Sequence, residues 1–198
     1  MRKILILAAN PKDVTRRRLD EEARDIREGL ERAKKRDEFE IVQRWAVRPR
    51  DLQRAMLDES PQIVHFTGHS DGAAGLVFED EAGNAQLVTA DALAKLFKLF
   101  KQDCDCVVLN GCYSLEQAAA IAEHIPYVIG MHRRWMSGRQ LSLRWGFTMR
   151  WAVAGRWSLP LSLVKRRWSC KGQGARICLC CGRMRLRRWR GRQSRRLA

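Results

Sequence analysis

Three short, nearly continuous apolar runs constrain this chain most: residues 3–9 (KILILAA), 62–66 (QIVHF) and 106–109 (CVVL). A strand without a polar face has no side to turn to water. It must be covered on both faces, as strands of a parallel sheet between helices are.

The segments between these runs carry the helix period. Leu19, Ala23, Ile26, Leu30 and Ala33 recur at spacings of four and three, one apolar stripe on a helix. Leu52, Ala55 and Met56 suit a second, short helix, and Thr89 caps a third whose apolar face is Leu93, Leu96, Phe97 and Phe100. Ser114-Leu115-Glu116-Gln117 has the form of a capping box and predicts a fourth helix running to about His124. Residues 39–47 alternate as a strand does, and residues 127–131 (YVIGM) begin another. Residues 75–79 and 84–88 flank a turn at 80–83 and predict a hairpin. Strands alternating with helices imply an α/β fold with a mostly parallel sheet covered on both faces. The pattern has no internal repeat and no phosphate-cradling glycine loop; a nucleotide-binding flavodoxin-like domain is the plain alternative.

Charge divides the chain in two. Residues 1–130 hold 19 Lys or Arg against 22 Asp or Glu, a net of −3, whereas residues 131–198 hold 19 Lys or Arg and no acid. The formal net charge of +16 therefore comes from the last third, which also carries six of the seven Trp and four of the seven Cys. Two segments are expected: residues 1–131 as the folded part, and residues 132–198 as a basic Arg/Trp-rich tail. The start, Met1-Arg2-Lys3, leads only into a short apolar run, too short for a signal peptide, and no stretch approaches a membrane span. A cytoplasmic protein with reduced thiols is expected.

Two residues stand out for chemistry. His69 and Cys112 each lie just beyond the carboxyl end of a buried strand, the edge of an open α/β sheet where ligands collect. If those strands are neighbours, about 4.8 Å apart, the two side chains share one crevice. A cysteine just before a helix start sits where the helix dipole favours a thiolate, and a thiol beside an imidazole is what acyl transfer needs. Gly68 and Gly111 allow tight turns whose amides could bind an oxyanion. On spacing alone, a buried structural cysteine and a packing or surface histidine remain open.

Val64-His65-Phe66-Thr67-Gly68-His69 and Val107-Val108-Leu109-Asn110-Gly111-Cys112-Tyr113-Ser114 resemble the two signature blocks of CHAT domains, caspase-like modules of bacteria. The segment 5–11 (LILAANP) and the acidic helix after it also resemble the start of such a domain. The resemblance covers residues 1 to about 131. It implies a caspase-like three-layer sandwich, incomplete at its C-terminal side here, and cysteine endopeptidase chemistry with His69 as general base and Cys112 as nucleophile. It also implies an oxyanion hole of backbone amides around Gly68, Ser70, Gly111 and Cys112. Two positions depart from the family pattern: Ser70 stands where Gly is favoured, and Gly111 where Ala is favoured. Ser70 adds a Cβ where the backbone could require an unusual angle.

A protein or peptide substrate follows from the resemblance, with no cofactor and no metal. A non-proteolytic signalling or interaction module is the alternative use of the same fold. Cys104 and Cys106 lie at the start of a strand and Cys112 at its end, roughly 20 Å away, so one zinc cannot hold all three. His65 is expected to pack inside its strand and His124 to end a helix. Arg16, Arg17 and Arg18 read as a solvated helix start ahead of an anion site, and Asp71 as a turn residue ahead of a contact for a basic substrate side chain.

The tail, with 17 Arg and 2 Lys among its Trp, would bind nucleic acid or another polyanion if it is genuine. The favoured expectation is that it is an out-of-frame translation without order. Trp135, Trp145, Trp151, Trp157, Trp168 and Trp189 each follow an Arg directly. Arg-Trp can be encoded CGN-TGG. Read from the third base of each codon, that becomes a small residue, then Leu, Val or Met, then a codon starting with G. With suitable codons, residues 134–151 become AVDERAAIEFAVGFYDAL, a periodic acidic helix similar to what CHAT domains carry there. A chain so interrupted would lack the last third of its domain and have weak activity or none.

Overall fold

Successive side chains of a strand point to opposite faces, so a strand apolar at every position feeds two cores. Such is β1 (Arg2–Ala8): Ile4 and Ile6 enter one buried cluster, Leu5 and Leu7 another. The computed structural model describes residues 1–131 apart from Arg16, Arg17, Lys34 and Lys35, and beyond them only the backbone of two short strands.

After β1 come α1 (Leu19–Glu31), β2 (Phe39–Trp45), α2 (Pro49–Glu59), β3 (Ile63–Thr67), β4 (His69–Ser70), β5 (Leu76–Glu79), β6 (Ala85–Val88), α3 (Ala90–Leu99), β7 (Cys106–Asn110), α4 (Leu115–Ile121) and β8 (Tyr127–Ile129). A five-stranded sheet has the order β2-β1-β3-β7-β8, and every neighbouring pair is parallel. On one face Ile26 and Leu30 of α1 cover Ile4, Ile6, Ile63 and Val108. On the other, Met56 of α2, Phe97 of α3 and Ile121 of α4 cover Leu5, Leu7, Val64, Val107 and Val128. This is the three-layer α/β arrangement that the apolar runs require.

The chain goes from β1 to β2 on one side and then crosses to β3 on the other side of β1. The strand order therefore reverses between β1 and β3, and a crevice opens there at the carboxyl ends. Over this edge sits a small antiparallel sheet, β4-β5-β6. Its turn is held by Asp80, whose Oδ1 accepts from the amides of Ala82 and Asn84 at 2.8 Å each. The hairpin is tied to the loop after β1: the Lys12 amide donates to Gly83 O at 2.9 Å and the Asn10 amide to Glu79 Oε1 at 2.8 Å.

Three local expectations change. The strand at 39–47 ends at Trp45, because Ala46 takes a positive φ of 52° and turns the Val47 amide onto Ala8 O. The fourth helix stops at Ile121, with His124 in the turn beyond. The capping box does not form. Ser114 is fully buried, and its hydroxyl donates to Leu109 O and accepts from the Met131 amide, both at 3.0 Å. Gln117 Nε2 instead donates to Gly72 O at 2.6 Å.

The expectations about residues 132–198 lie outside the described residues, except that β9 (Cys178–Cys180) and β10 (Arg183–Arg185) pair antiparallel. Among the described residues no helix is long and apolar enough to cross a membrane.

Candidate active site

The final rung of the β3–β7 ladder pairs Thr67 with Asn110. His69 and Cys112 each lie two residues beyond it, at the same edge of the sheet. The segments also touch. A Cβ built on Gly111 would lie 3.0 Å from Ser70 Cβ and 3.6 Å from the carbonyl of His69. Gly68 is pinned more tightly, since a Cβ there would meet Ala9 O and Phe66 Cζ, each at 2.9 Å. Its amide donates to Asn110 O at 3.4 Å, a long bond.

His69 opens β4, which pairs with β5 opposite Val77. Its ring is oriented by a backbone carbonyl: Nε2 lies 2.8 Å from Thr15 O. A carbonyl oxygen only accepts, so Nε2 carries the hydrogen, and in the neutral ring Nδ1 holds the lone pair. The contact spans the crevice between the segments that follow β1 and β3. Cys112 is half-buried at the head of the turn into α4. The next residue, Tyr113, has a φ of 59° and is half exposed. A left-handed backbone at a bulky residue is costly and persists only where its surroundings demand it. Ser70 is not among the described non-glycine residues of positive φ, so the angle once in question there is ordinary.

Beneath this edge lies a carboxylate. Glu22 of α1 points into the sheet with its side chain 9% exposed. Its Oε1 is 2.9 Å from His65 Nε2 and accepts from Asn110 Nδ2 at 2.5 Å, while Oε2 accepts from Thr67 Oγ1 at 2.6 Å. Burial alone would push this carboxyl up. Hydrogen bonds from His65, Thr67 and Asn110, with the attraction of the His65 ring, outweigh burial and hold it below its ordinary value.

Cys104 and Cys106 are both buried at the opposite end of β7, and burial, reinforced by Asp105, pushes the Cys106 thiol up to about 12. Arg18 pairs with Glu21 at 2.7 Å in a solvent-facing position, while Arg16 and Arg17 lie outside the described residues. Asp71 is an exposed turn residue whose amide donates to Gly75 O.

Gly68, His69, Ser70, Gly111 and Cys112 thus all gather at one stretch of the sheet edge. Glu22 and Thr15 belong to no motif that the sequence displays, Thr67 and Asn110 lie inside the two signature blocks with no role of their own there, and His65, expected to pack inside its strand, also meets a carboxylate. One signal was available for Glu22. It stands three residues after Leu19 and four before Ile26, an acid within the apolar stripe of α1. Such a position is buried, and a buried acid needs partners.

Comparison with known proteins bears on the family of the chain. The model of the CHAT domain family matches residues 2–140, nine residues past position 131. A protein of Gillisia limnaea named a probable protease is 25% identical over 132 residues, 66% of this chain and 23% of that protein. A "Roc-COR-CHAT protease" of an unknown prokaryotic organism is 26% identical over 135 residues, 65% of this chain and 13% of that protein. The chain thus spans less than a quarter of the length of either relative.

Proposed function

The chain belongs to the CHAT domain family, and we propose that within it Cys112 and His69 form the nucleophile–base pair of a caspase-like cysteine peptidase centre. The observation that carries the reading is the close approach of Gly111 to Ser70 Cβ and the His69 carbonyl, beside the Thr67–Asn110 rung. It brings the segments bearing the two residues together at the sheet edge. The names of the relatives support a protein substrate.

In the proposed reaction His69 Nδ1 accepts the proton of the Cys112 thiol as Sγ attacks the carbonyl carbon of a peptide bond. The carbonyl oxygen becomes an oxyanion, to be met by amides around Ser70, Gly111 and Cys112. The Gly68 amide joins them only by giving up its long bond to Asn110. The C–N bond then breaks, the His69 imidazolium gives its proton to the leaving amine, and a thioester remains. His69 next deprotonates a water that hydrolyses the thioester, which restores the thiol.

If residues 132–198 are out of frame, this chain is expected to hydrolyse peptides weakly or not at all while keeping a reactive Cys112. The test is labelling by a peptide bearing a thiol-reactive group, resolved by peptide mass spectrometry. Labelling at Cys112 that is lost in Cys112→Ala and slowed in His69→Ala supports the pair. Labelling at Cys112 no faster than at a solvent-exposed thiol, and indifferent to His69, would favour a non-proteolytic interaction module.

A further inference from the structure

Three polar side chains converge on Glu22, and two of them belong to the rung from which the proposed pair springs. Thr67 and Asn110 are register partners at the end of β3 and β7. Glu22 accepts one hydrogen bond from each, Thr67 Oγ1 on Oε2 and Asn110 Nδ2 on Oε1. His65, two residues before Thr67 on the same face of β3, meets Oε1 as well. An ionised carboxylate has acceptors only, so all three partners present hydrogens to it. Such charge-assisted bonds are short and directional.

We propose that Glu22 is a positioning residue for the Cys112–His69 centre: from α1 it clamps the terminal rung of β3 and β7 and so fixes the separation of the two segments that carry the pair. The proposal rests on the peptidase reading. Alternative roles fit less well. The side chain is too buried to meet a substrate, and its bonds run to the strands rather than to His69 or Cys112. A carboxylate needed only to stabilise α1 could sit at the first turn in solvent, where Asp20 and Glu21 already lie. Bridging two neighbouring strands at their final rung sets geometry, and reaction rates fall steeply when reacting groups shift by about 1 Å.

The experiment measures alkylation of Cys112 by iodoacetamide across pH 5–9, followed at the Cys112 peptide by mass spectrometry in the full 198-residue chain. The His69→Ala variant first tests the underlying reading. If it leaves the Cys112 profile unchanged, the pair is absent and both readings fall. If it removes the acid limb of the profile, the pair stands and Glu22 can be judged. Glu22→Ala is then expected to slow alkylation on the order of tenfold and to move its pH profile toward that of His69→Ala. Glu22→Gln is expected to recover most of the rate, because its amide can still accept from Asn110 and donate to the Thr67 hydroxyl. Thr67→Val, nearly isosteric, repeats the test if Glu22→Ala does not fold. A Glu22→Ala or Thr67→Val chain that melts lower yet keeps the wild-type rate and profile at Cys112 would show a structural role alone and overturn the proposal.

Discussion

An alanine at position 111 would bring its Cβ to 3.0 Å from Ser70 Cβ, inside ordinary contact distance. The family pattern favours the opposite arrangement, Gly after the histidine and Ala before the cysteine. The two departures therefore meet across one contact, and the space given up at position 111 is taken at position 70. Gly111→Ala is expected to cost about 1–3 kcal/mol by overpacking. Adding Ser70→Gly should recover part of that cost, so urea melts of the two single variants and the double variant should be non-additive. Additivity would mean that the sites are independent. Glu22 gives a second prediction. Its folded-state value lies below the ordinary 4.5, so its charge contributes stability above that pH, and the contribution is lost as pH falls through the lower folded value. Since Gln does not titrate, the stability difference between wild type and Glu22→Gln should be flat near neutrality and shrink below pH 4.5. Denaturant melts from pH 7 to pH 3 would read it. A difference that grows toward acid would mean that the folded value is raised.

At the scale of elements, what was legible followed from continuous patterns, and what was missed came from single side chains serving elements distant in sequence. The runs at 3–9, 62–66 and 106–109 appear as β1, β3 and β7 within a residue or two, because a strand buried on both faces has no alternative pattern. The stripe from Leu19 to Leu30 appears as α1 for the same reason. Ser114 misled because its local signal is that of a helix cap, while its place is under the end of β7. There its hydroxyl joins Leu109 O to the Met131 amide, a bond between segments that no short motif encodes. Gly130 belongs to the same packing, since a Cβ there would lie 2.5 Å from Ala118 Cβ and 2.8 Å from Ser114 O. Ser114→Ala should therefore cost about 1–3 kcal/mol, more than a solvent-exposed cap commonly does, because it leaves buried backbone groups unsatisfied. Thermal melting checks this; a loss of only a few tenths would mean that water replaces the hydroxyl.

For the whole molecule, topology explains why the sheet edge that carries His69 and Cys112 was legible without the residues behind it. A parallel sheet with one reversal of strand order has its natural crevice between β1 and β3; His69 follows β3 at that crevice, and Cys112 follows β7, the next strand along the same edge. The residues behind them, Glu22 and Thr15, come from the β1–β2 crossover, and no spacing along the chain couples that segment to positions 65–112. The same scale bears on the basic third of the chain. A folded part with net charge −3 is followed by 19 Lys or Arg and no acid, and every Trp of that third follows an Arg. A family match that reaches position 140 places the change of composition inside the family domain. We propose that the change marks a shift of reading frame near codon 131. Sequencing the coding DNA across codons 125–140 and translating all forward frames should reveal one in which acids return and a periodic helix continues from β8. If no frame does so, the Arg/Trp segment is genuine. Its charge should then bind DNA with an affinity that falls steeply with salt, on the order of a thousandfold between 50 and 200 mM for six or more phosphate contacts.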